Sequence, residues 1–401
     1  MTVPAVLDDR IRAIAQSQFP DWKPDREAAA PGRIELIGGH LDYNGGPVLA
    51  AAIDKTIVIR AAGSASLMTK VIFADFDPDQ VHEITAPSCV DWRISTGATS
   101  PSDFVRGVIA ALFARGLGVR TGQSLIVAGN LPYGVGISSS AALCVALAEI
   151  LLVDPVLPEE LVLIAQEAEN RTGSPCGRMD QSASVFGEII QFDGATFTCE
   201  SLKADLGEYE FVVANSGVVR SLATSVYPER VRESREALEL LRSKGWSDLP
   251  ALAALPFAEL ARAEQALTEQ PVLQHRLRHV VTETARVQAA KRAALGGDWV
   301  RFGQIMTEGG RSSSDDYGIG HPEVDALTSA ALADPSVLGA RIMGGGEGGA
   351  ALLLVSSAGY ASLQDHLAAT YYLPRGFVQV DHLLIRCHIA PGASHRQLQS
   401  D

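Results

Sequence analysis

The chain has 401 residues, 47% of them apolar, and a formal net charge of 33 − 47 = −14. That length suits a globular protein of one or two domains with a substantial core, and the acidic balance excludes broad attraction to nucleic acid or to an anionic membrane. Five cysteines, odd in number and without CxxC spacing, argue against a disulfide framework or a zinc site and favour a reducing cytosol.

The opening residues to about Phe19 carry helical spacing at Val6, Ile11, Ile14 and Ala15, and Pro20 stops the pattern. No basic segment precedes a long apolar run, and no apolar run reaches membrane-span length, so a soluble cytoplasmic protein is expected. Next comes GRIELIGGHLDYNGG, residues 32 to 46, where charged side chains sit inside an apolar, glycine-rich run. If the segment is extended, Arg33, Glu35 and Ile37 share one face. Beyond them His40 and Asp42 stand two apart in a glycine-flanked loop. Such a pair suits a structural contact, half of a metal site with no second cluster to complete it, or a ligand for hydroxyl groups.

VLAAAIDKTIVIR reads as a strand from its β-branched residues, and DFVRGVIAALFARGLG as a helix closed by glycine. TGQSLIVAGNLP is a strand entering a loop. In GNLPYGVGISSSAAL that Pro/Gly loop runs directly into a helix opening on serines. Free N–H groups and the positive end of the helix dipole would hold a phosphate there, although serine capping of a core helix reads equally well. ELVLIAQEAENRTG is a further helix ahead of CGRMDQSASVFG, and EIIQFDG and EYEFVVANS are strands.

Residues 229 to 300, rich in Ala, Leu, Glu and Arg, predict several helices. GARIMGGGEGGAALLLVSS reads as two strands joined by glycines, and ASLQDHLAATYY as a helix before final strands GFVQV and HLLIRCHI. Residues 344 to 349 formally satisfy GxGxxG, the mark of a nicotinamide-dependent oxidoreductase, but a strand follows where that motif needs a helix. Strands and helices mix without regular alternation, which predicts an α+β protein. A boundary between 195 and 210 divides it into domains 1–200 and 201–401.

Taken in order, GRIELIGGHLDYNGG, LPYGVGISSSAAL, CGRMDQ and GGGEGGAALLLV resemble the galactokinase branch of the GHMP kinases, the group that also includes homoserine, mevalonate and phosphomevalonate kinases. NSGVVRSLATSVYPERVRES, SSSDDYGIGHPEVDAL and APGAS extend the resemblance from about Phe19 to Ser394. It implies a two-domain α+β fold with the active site in the interdomain cleft, and transfer of the γ-phosphoryl of Mg-ATP to the anomeric hydroxyl of galactose or a galactose-like sugar. Asp180 matches the catalytic aspartate that accepts the hydroxyl proton, and Arg33 the arginine beside it. The resemblance puts the phosphates on Gly134, Gly136, Ser138, Ser139 and Ser140, with Gly344 and Gly346 opposite, and Mg²⁺ on Ser140 and Glu169. The sugar falls to Gly39, His40, Asp42, Gly177 and Tyr227.

The chain departs from the galactokinase pattern in ways that bear on the sugar. Glu35 stands for an asparagine, and Gly39 for the glutamate that receives the C6 hydroxyl. The second change is expected to leave space and remove a negative charge, which keeps L-arabinose, galacturonate or a longer or anionic galacto-type sugar as alternatives to galactose. Glu35 either pairs with Arg33 or lies solvated at a strand edge. Arg178, Arg220, Glu347 and Pro101 also replace the usual residues, and the two arginines read as surface side chains. Two readings outside this one are a sugar and ATP sensor without catalysis, which the retained Arg33, Ser140, Glu169 and Asp180 disfavour, and a kinase for a non-sugar alcohol, which His40 and Asp42 disfavour.

Overall fold

A computed structural model describes residues 3–64, 66–94, 100–132, 134–173, 176–218 and 226–399. The first part of the chain builds helix α1 (Ala5–Gln18), strands β1 (Arg26–Ile37), β2 (Pro47–Gly63), β3 (Met68–Phe73) and β4 (Asp77–Thr85), helix α2 (Pro101–Ala114) and strand β5 (Gln123–Gly129). Helices α3 (Ser139–Leu151), α4 (Pro158–Arg171) and α5 (Met179–Phe186) follow, then strands β6 (Ile189–Asp193), β7 (Thr198–Leu202) and β8 (Tyr209–Asn215). The remainder is mostly helical, with α6 (Tyr227–Ser243), α7 (Leu260–Ala266), α8 (Pro271–Leu295), α9 (Trp299–Asp315) and α10 (Pro322–Leu332). Strands β9 (Val337–Ile342) and β10 (Ala350–Ser356), helix α11 (Tyr360–Leu367) and strands β11 (Leu384–Cys387) and β12 (Ser394–Gln397) complete it.

The larger sheet runs β12-β1-β2-β5-β3-β4, with β6 and β7 continuing from the far end of the long β2. The smaller sheet runs β11-β8-β10-β9 and is antiparallel throughout. Because β12 pairs with β1, the end of the chain ties back onto the first sheet. Leu7, Ile11 and Ile14 of α1 cover one face of that sheet together with Ala29, Val58 and Ile126. The other face packs on α3, whose Ala, Leu and Val side chains are buried nearly all round. Apolar surface on every side of a helix is what a central core position demands.

The glycine-joined strands are observed as β9 and β10, an antiparallel pair, so residues 344 to 349 do not lead into a helix. GFVQV is not a strand, contrary to the sequence pattern. The segment leaves a 3-10 turn at Leu373–Arg375 through left-handed backbone at Gly376, and Phe377 packs edge-on to Tyr372. Among the described residues no helix is long and apolar enough to cross a membrane.

Candidate active site

The site grows from the centre of β1, where all twelve residues are buried. Register shifts against β2 fall between Pro31 and Arg33 and again between Glu35 and Ile37. Bulges of this kind bend a strand and re-aim its side chains, and here they flank the two charges. The alternation expected from the sequence therefore holds between Arg33 and Glu35 and breaks before Ile37. Arg33 reaches Asp180, in the first turn of α5, with its Nε 2.7 Å and its Nη2 2.6 Å from Oδ1. Its Nη1 donates to the Gly136 carbonyl at 2.6 Å. Ser138 donates to the other Asp180 oxygen at 2.5 Å, so one carboxylate joins the strand, the serine loop and α5.

That loop enters α3 through left-handed backbone at Gly134, Gly136 and Ser138. For a serine this conformation costs energy, and the hydrogen bond to Asp180 fixes it. The α3 N-terminus, with Ser139 and Ser140 in its first turn, therefore opens beside Asp180. The second glycine loop comes to the same place, since a side-chain carbon on Gly349 would stand 3.8 Å from the Gly134 carbonyl. Gly344 and Gly346 also lie in the left-handed region.

Ser140 Oγ donates to Glu169 Oε1 at 2.6 Å, and Gln181 donates to Oε2 at 2.7 Å. Burial pushes the Glu169 carboxyl up to about 7, against the pull of the Ser140 hydrogen bond. A buried carboxylate and a hydroxyl are hard oxygen donors suited to Mg²⁺. Among the described residues no group of three or more His, Cys, Asp or Glu side chains gathers for a metal, so the remaining ligands would have to be phosphate and water.

Beside Ser139 and Ser140 lies an apolar cleft lined by Ile57, Phe73, Phe76, Phe104 and Leu143, with Pro101 at the start of α2 and Asp75 at its edge. No motif marked this cleft, because its walls come from β2, β3, α2 and α3. The only signal in the sequence was the unexplained Pro101.

The loop after β1 holds the other group. His40 adopts a left-handed backbone, its Nδ1 lies 2.8 Å from the Tyr43 hydroxyl, and its ring packs on Tyr227 and Tyr317 at 5.5 and 5.1 Å. Any side chain at Gly177 would collide with the Asp42 carboxylate. Burial, with Glu35 and Asp180 nearby, raises the Asp42 carboxyl to about 6. His40, Asp42, Gly177 and Tyr227 are thus brought together.

The rest of this loop is braced from the second half of the chain, which sequence reading missed. Glu283 accepts from the Gly38 N–H at 3.1 Å, and His279 Nε2 stands 3.4 Å from the Gly39 carbonyl. Burial pushes the His279 pKa down to about 4, leaving it neutral. The Tyr317 hydroxyl lies 2.8 Å from those of Tyr43 and Ser234 and accepts from Asn44 at 3.2 Å.

Glu35 corrects both expectations for it. It is buried rather than solvated, and it pairs with Arg341 at 3.2 Å rather than with Arg33. Nor does Gly39 leave an empty space or a missing charge. A side-chain carbon there would lie 2.8 Å from both Glu35 Oε1 and Arg341 Nη2, so the pair fills the position. Arg178 stacks on Phe197 at 4.3 Å and bonds Gln166, Glu347 accepts from the Val226 N–H at 2.8 Å, and Arg220 lies outside the described residues.

Three family models match the chain: the galactokinase galactose-binding signature over residues 16–62, the N-terminal domain of GHMP kinases over 103–188 and their C-terminal domain over 287–373. The galactokinase of Roseiflexus sp. (strain RS-1) is 33% identical over 352 residues, covering 86% of each chain. That of Homo sapiens is 35% identical over 372 residues, covering 88% of this chain and 90% of its own. The crystal structure of Lactococcus lactis galactokinase complexed with galactose superposes with a TM-score of 0.87 at 28% identity, over 97% of this chain and 99% of that one. The fold alone is shared with L. major mevalonate kinase, at 17% identity and a TM-score of 0.63.

Proposed function

This chain belongs to the galactokinase family of the GHMP kinases and is an ATP-dependent sugar kinase; on that premise we propose that it phosphorylates galactose on its anomeric hydroxyl. The observation that carries the reading is the junction of Asp180 with Arg33 and Ser138 at the mouth of the serine loop. Phosphoryl transfer needs its partners held in line and its developing charge neutralised more than it needs covalent help.

In this reading the N–H groups opening α3, with Gly134, Gly136, Ser138, Ser139 and Ser140, receive the ATP phosphates. Gly344 and Gly346 close the loop from the other side. The apolar cleft at Phe73, Phe76 and Phe104 takes the purine ring. The sugar lies over His40, Asp42, Gly177 and Tyr227, and its anomeric hydroxyl meets Asp180. Asp180 accepts the hydroxyl proton as the bond from the sugar oxygen to the γ-phosphorus forms. The bond from that phosphorus to the bridging oxygen of ADP breaks, with ADP as the leaving group. Arg33 holds the Asp180 carboxylate in place through its Nε and Nη2 and draws off negative charge from the transferred group. Ser140 and Glu169 fit Mg²⁺, which would supply charge neutralisation to the phosphate oxygens when bound.

The test is ADP release from Mg-ATP with galactose, L-arabinose and galacturonate at equal concentration, followed by phosphorus NMR of the product. Galactose is expected to give the highest turnover, with the phosphate on C1. Absence of ADP release with galactose, or a phosphate on another carbon, sinks the assignment.

A further inference from the structure

We infer that Glu35, backed by Arg341, is the specificity-determining residue that reads one sugar hydroxyl on the side of the site away from the transferred phosphoryl group. The inference rests on the sugar kinase reading and refines it. Glu35 is 5% exposed and Arg341 1% exposed. Two buried charges this close are ordinarily saturated with hydrogen bonds, because a lone pair or N–H left unmatched costs free energy. This pair is not saturated. Among the described residues, Glu35 Oε1 accepts no hydrogen bond and Arg341 Nε donates none. Their mutual contact is a 3.2 Å approach, and among the described residues the other hydrogen bond of the Arg341 guanidinium goes to the Leu36 carbonyl, at 3.3 Å.

The position of the pair says what it faces. The direction a side chain would take from Gly39 leads onto Glu35 Oε1 and Arg341 Nη2, both 2.8 Å from the first carbon. Gly39 directly precedes His40 and lies three residues before Asp42, in the loop assigned to the sugar. The carboxylate is therefore delivered to this loop from the strand beneath it instead of from residue 39 itself. Glu35 is also two residues from Arg33, one same-face repeat of about 6.6 Å along a strand. A pyranose whose anomeric hydroxyl meets Asp180 would extend its C4 and C6 end in that direction. A neutral hydroxyl matches both unused atoms, since it donates to a carboxylate and accepts from a guanidinium. A carboxylate on the sugar would instead meet the charge of Glu35.

The test compares kcat/KM for galactose, 4-deoxygalactose and 6-deoxygalactose across four proteins. These are the wild type, the double variant Glu35→Leu/Arg341→Met, the single variant Gly39→Glu, and the exchange Glu35→Asn/Gly39→Glu. The double variant replaces a buried ion pair with apolar volume, a change that proteins often tolerate, and circular dichroism confirms its fold. The wild type is expected to prefer galactose to one of the deoxy sugars by about tenfold or more, as a site built around a hydroxyl does. In the double variant that preference should fall to about twofold, while the other deoxy sugar and the KM for ATP stay unchanged. Gly39→Glu alone sets two carboxylates in one space and should lose galactose turnover, which the exchange should restore.

A folded double variant with the wild-type preference overturns the inference, as does Gly39→Glu with wild-type activity. A wild type that releases no ADP with any of the three sugars overturns the galactose assignment, and the inference with it.

Discussion

The serine loop and the sugar loop are both glycine-rich turns leading to Asp180, but they are held in different ways. The serine loop is fixed by nearby elements of the larger sheet and its helices. Arg33 bonds Gly136, Ser138 bonds Asp180, and Ser140 bonds Glu169. The sugar loop is fixed from about 240 residues away or more, by His279, Glu283, Tyr317 and Arg341. A phosphate site needs mainly free N–H groups and a helix end. A sugar site must set several side chains at once, and on the proposed assignment the second half of the chain does this, so substrate recognition would depend on that bracing.

Asp180 is where the two loops meet, and its loss should have the largest effect. Asp180→Asn keeps the shape and removes the base, so kcat should fall about 10³-fold. Sugar affinity, measured by calorimetry, should stay within about threefold, because Asp180 would act on the transition state. Comparable losses in kcat and affinity would make Asp180 a binding group and erase its separate place between the loops.

The second prediction separates the loops. Glu283 is fully buried between Arg286, at 2.6 Å, and the Gly38 N–H. Burial alone would raise its pKa, but the Arg286 guanidinium, with Arg341 beyond it, outweighs that and holds the carboxyl low. Glu283→Ala strands a guanidinium and a backbone donor, at a cost of about 3 kcal/mol in urea unfolding. The KM for sugar should rise while that for ATP stays constant. A matching rise in both would show that the serine loop leans on the second half as well.

The same contrast sets how much of the site was legible in the sequence. The serine loop, Arg33 and Asp180 were visible because each sits in a short motif whose chemistry is carried by its own backbone. His40, Asp42 and Gly177 were visible through the ordered set of motifs. Their supports were not, because Glu283 and His279 lie in an ordinary-looking helix and Arg341 in an apolar strand. One signal did exist for Arg341. A lone arginine in GARIM and a lone glutamate in RIELI are each costly to bury and become less so together. Nothing in the sequence said that these two would meet, and their pairing is why Gly39 was misread as an absence. The fold was legible wherever periodicity was strong, and failed at GFVQV, where Phe377 packs on Tyr372 instead of entering a ladder.

The third prediction concerns the serine loop alone. The Glu169 carboxyl is raised from 4.5 to about 7, so the folded state binds its proton more tightly than the unfolded state does. With no divalent cation present, stability should therefore fall as pH rises from about 4.5 to about 7, and level off above. Glu169→Gln should remove that slope. Mg²⁺ with nucleotide should protect against thermal unfolding more at pH 8 than at pH 6, because a cation binds the ionised form. Sugar affinity should respond to none of this.

The smallest effect, and the sharpest test of the comparison, is Tyr317→Phe. Tyr317 lies within SSSDDYGIGHPEVDAL, is fully buried, and its hydroxyl sits among Tyr43, Asn44 and Ser234. The substitution keeps the ring contacts with His40 and His279, at 5.1 and 4.5 Å, and removes one oxygen. The stability cost should be about 1 kcal/mol, that of one buried hydrogen-bond hub. Freed from that hub, Tyr43 no longer fixes the tilt of His40, so the KM for sugar should rise several-fold with the KM for ATP unchanged. A loss of stability with both KM values intact would mean that the ring stack alone sets His40. The hydroxyl cluster would then be core packing, and the dependence of the sugar loop on the second half would narrow to Glu283, His279 and Arg341.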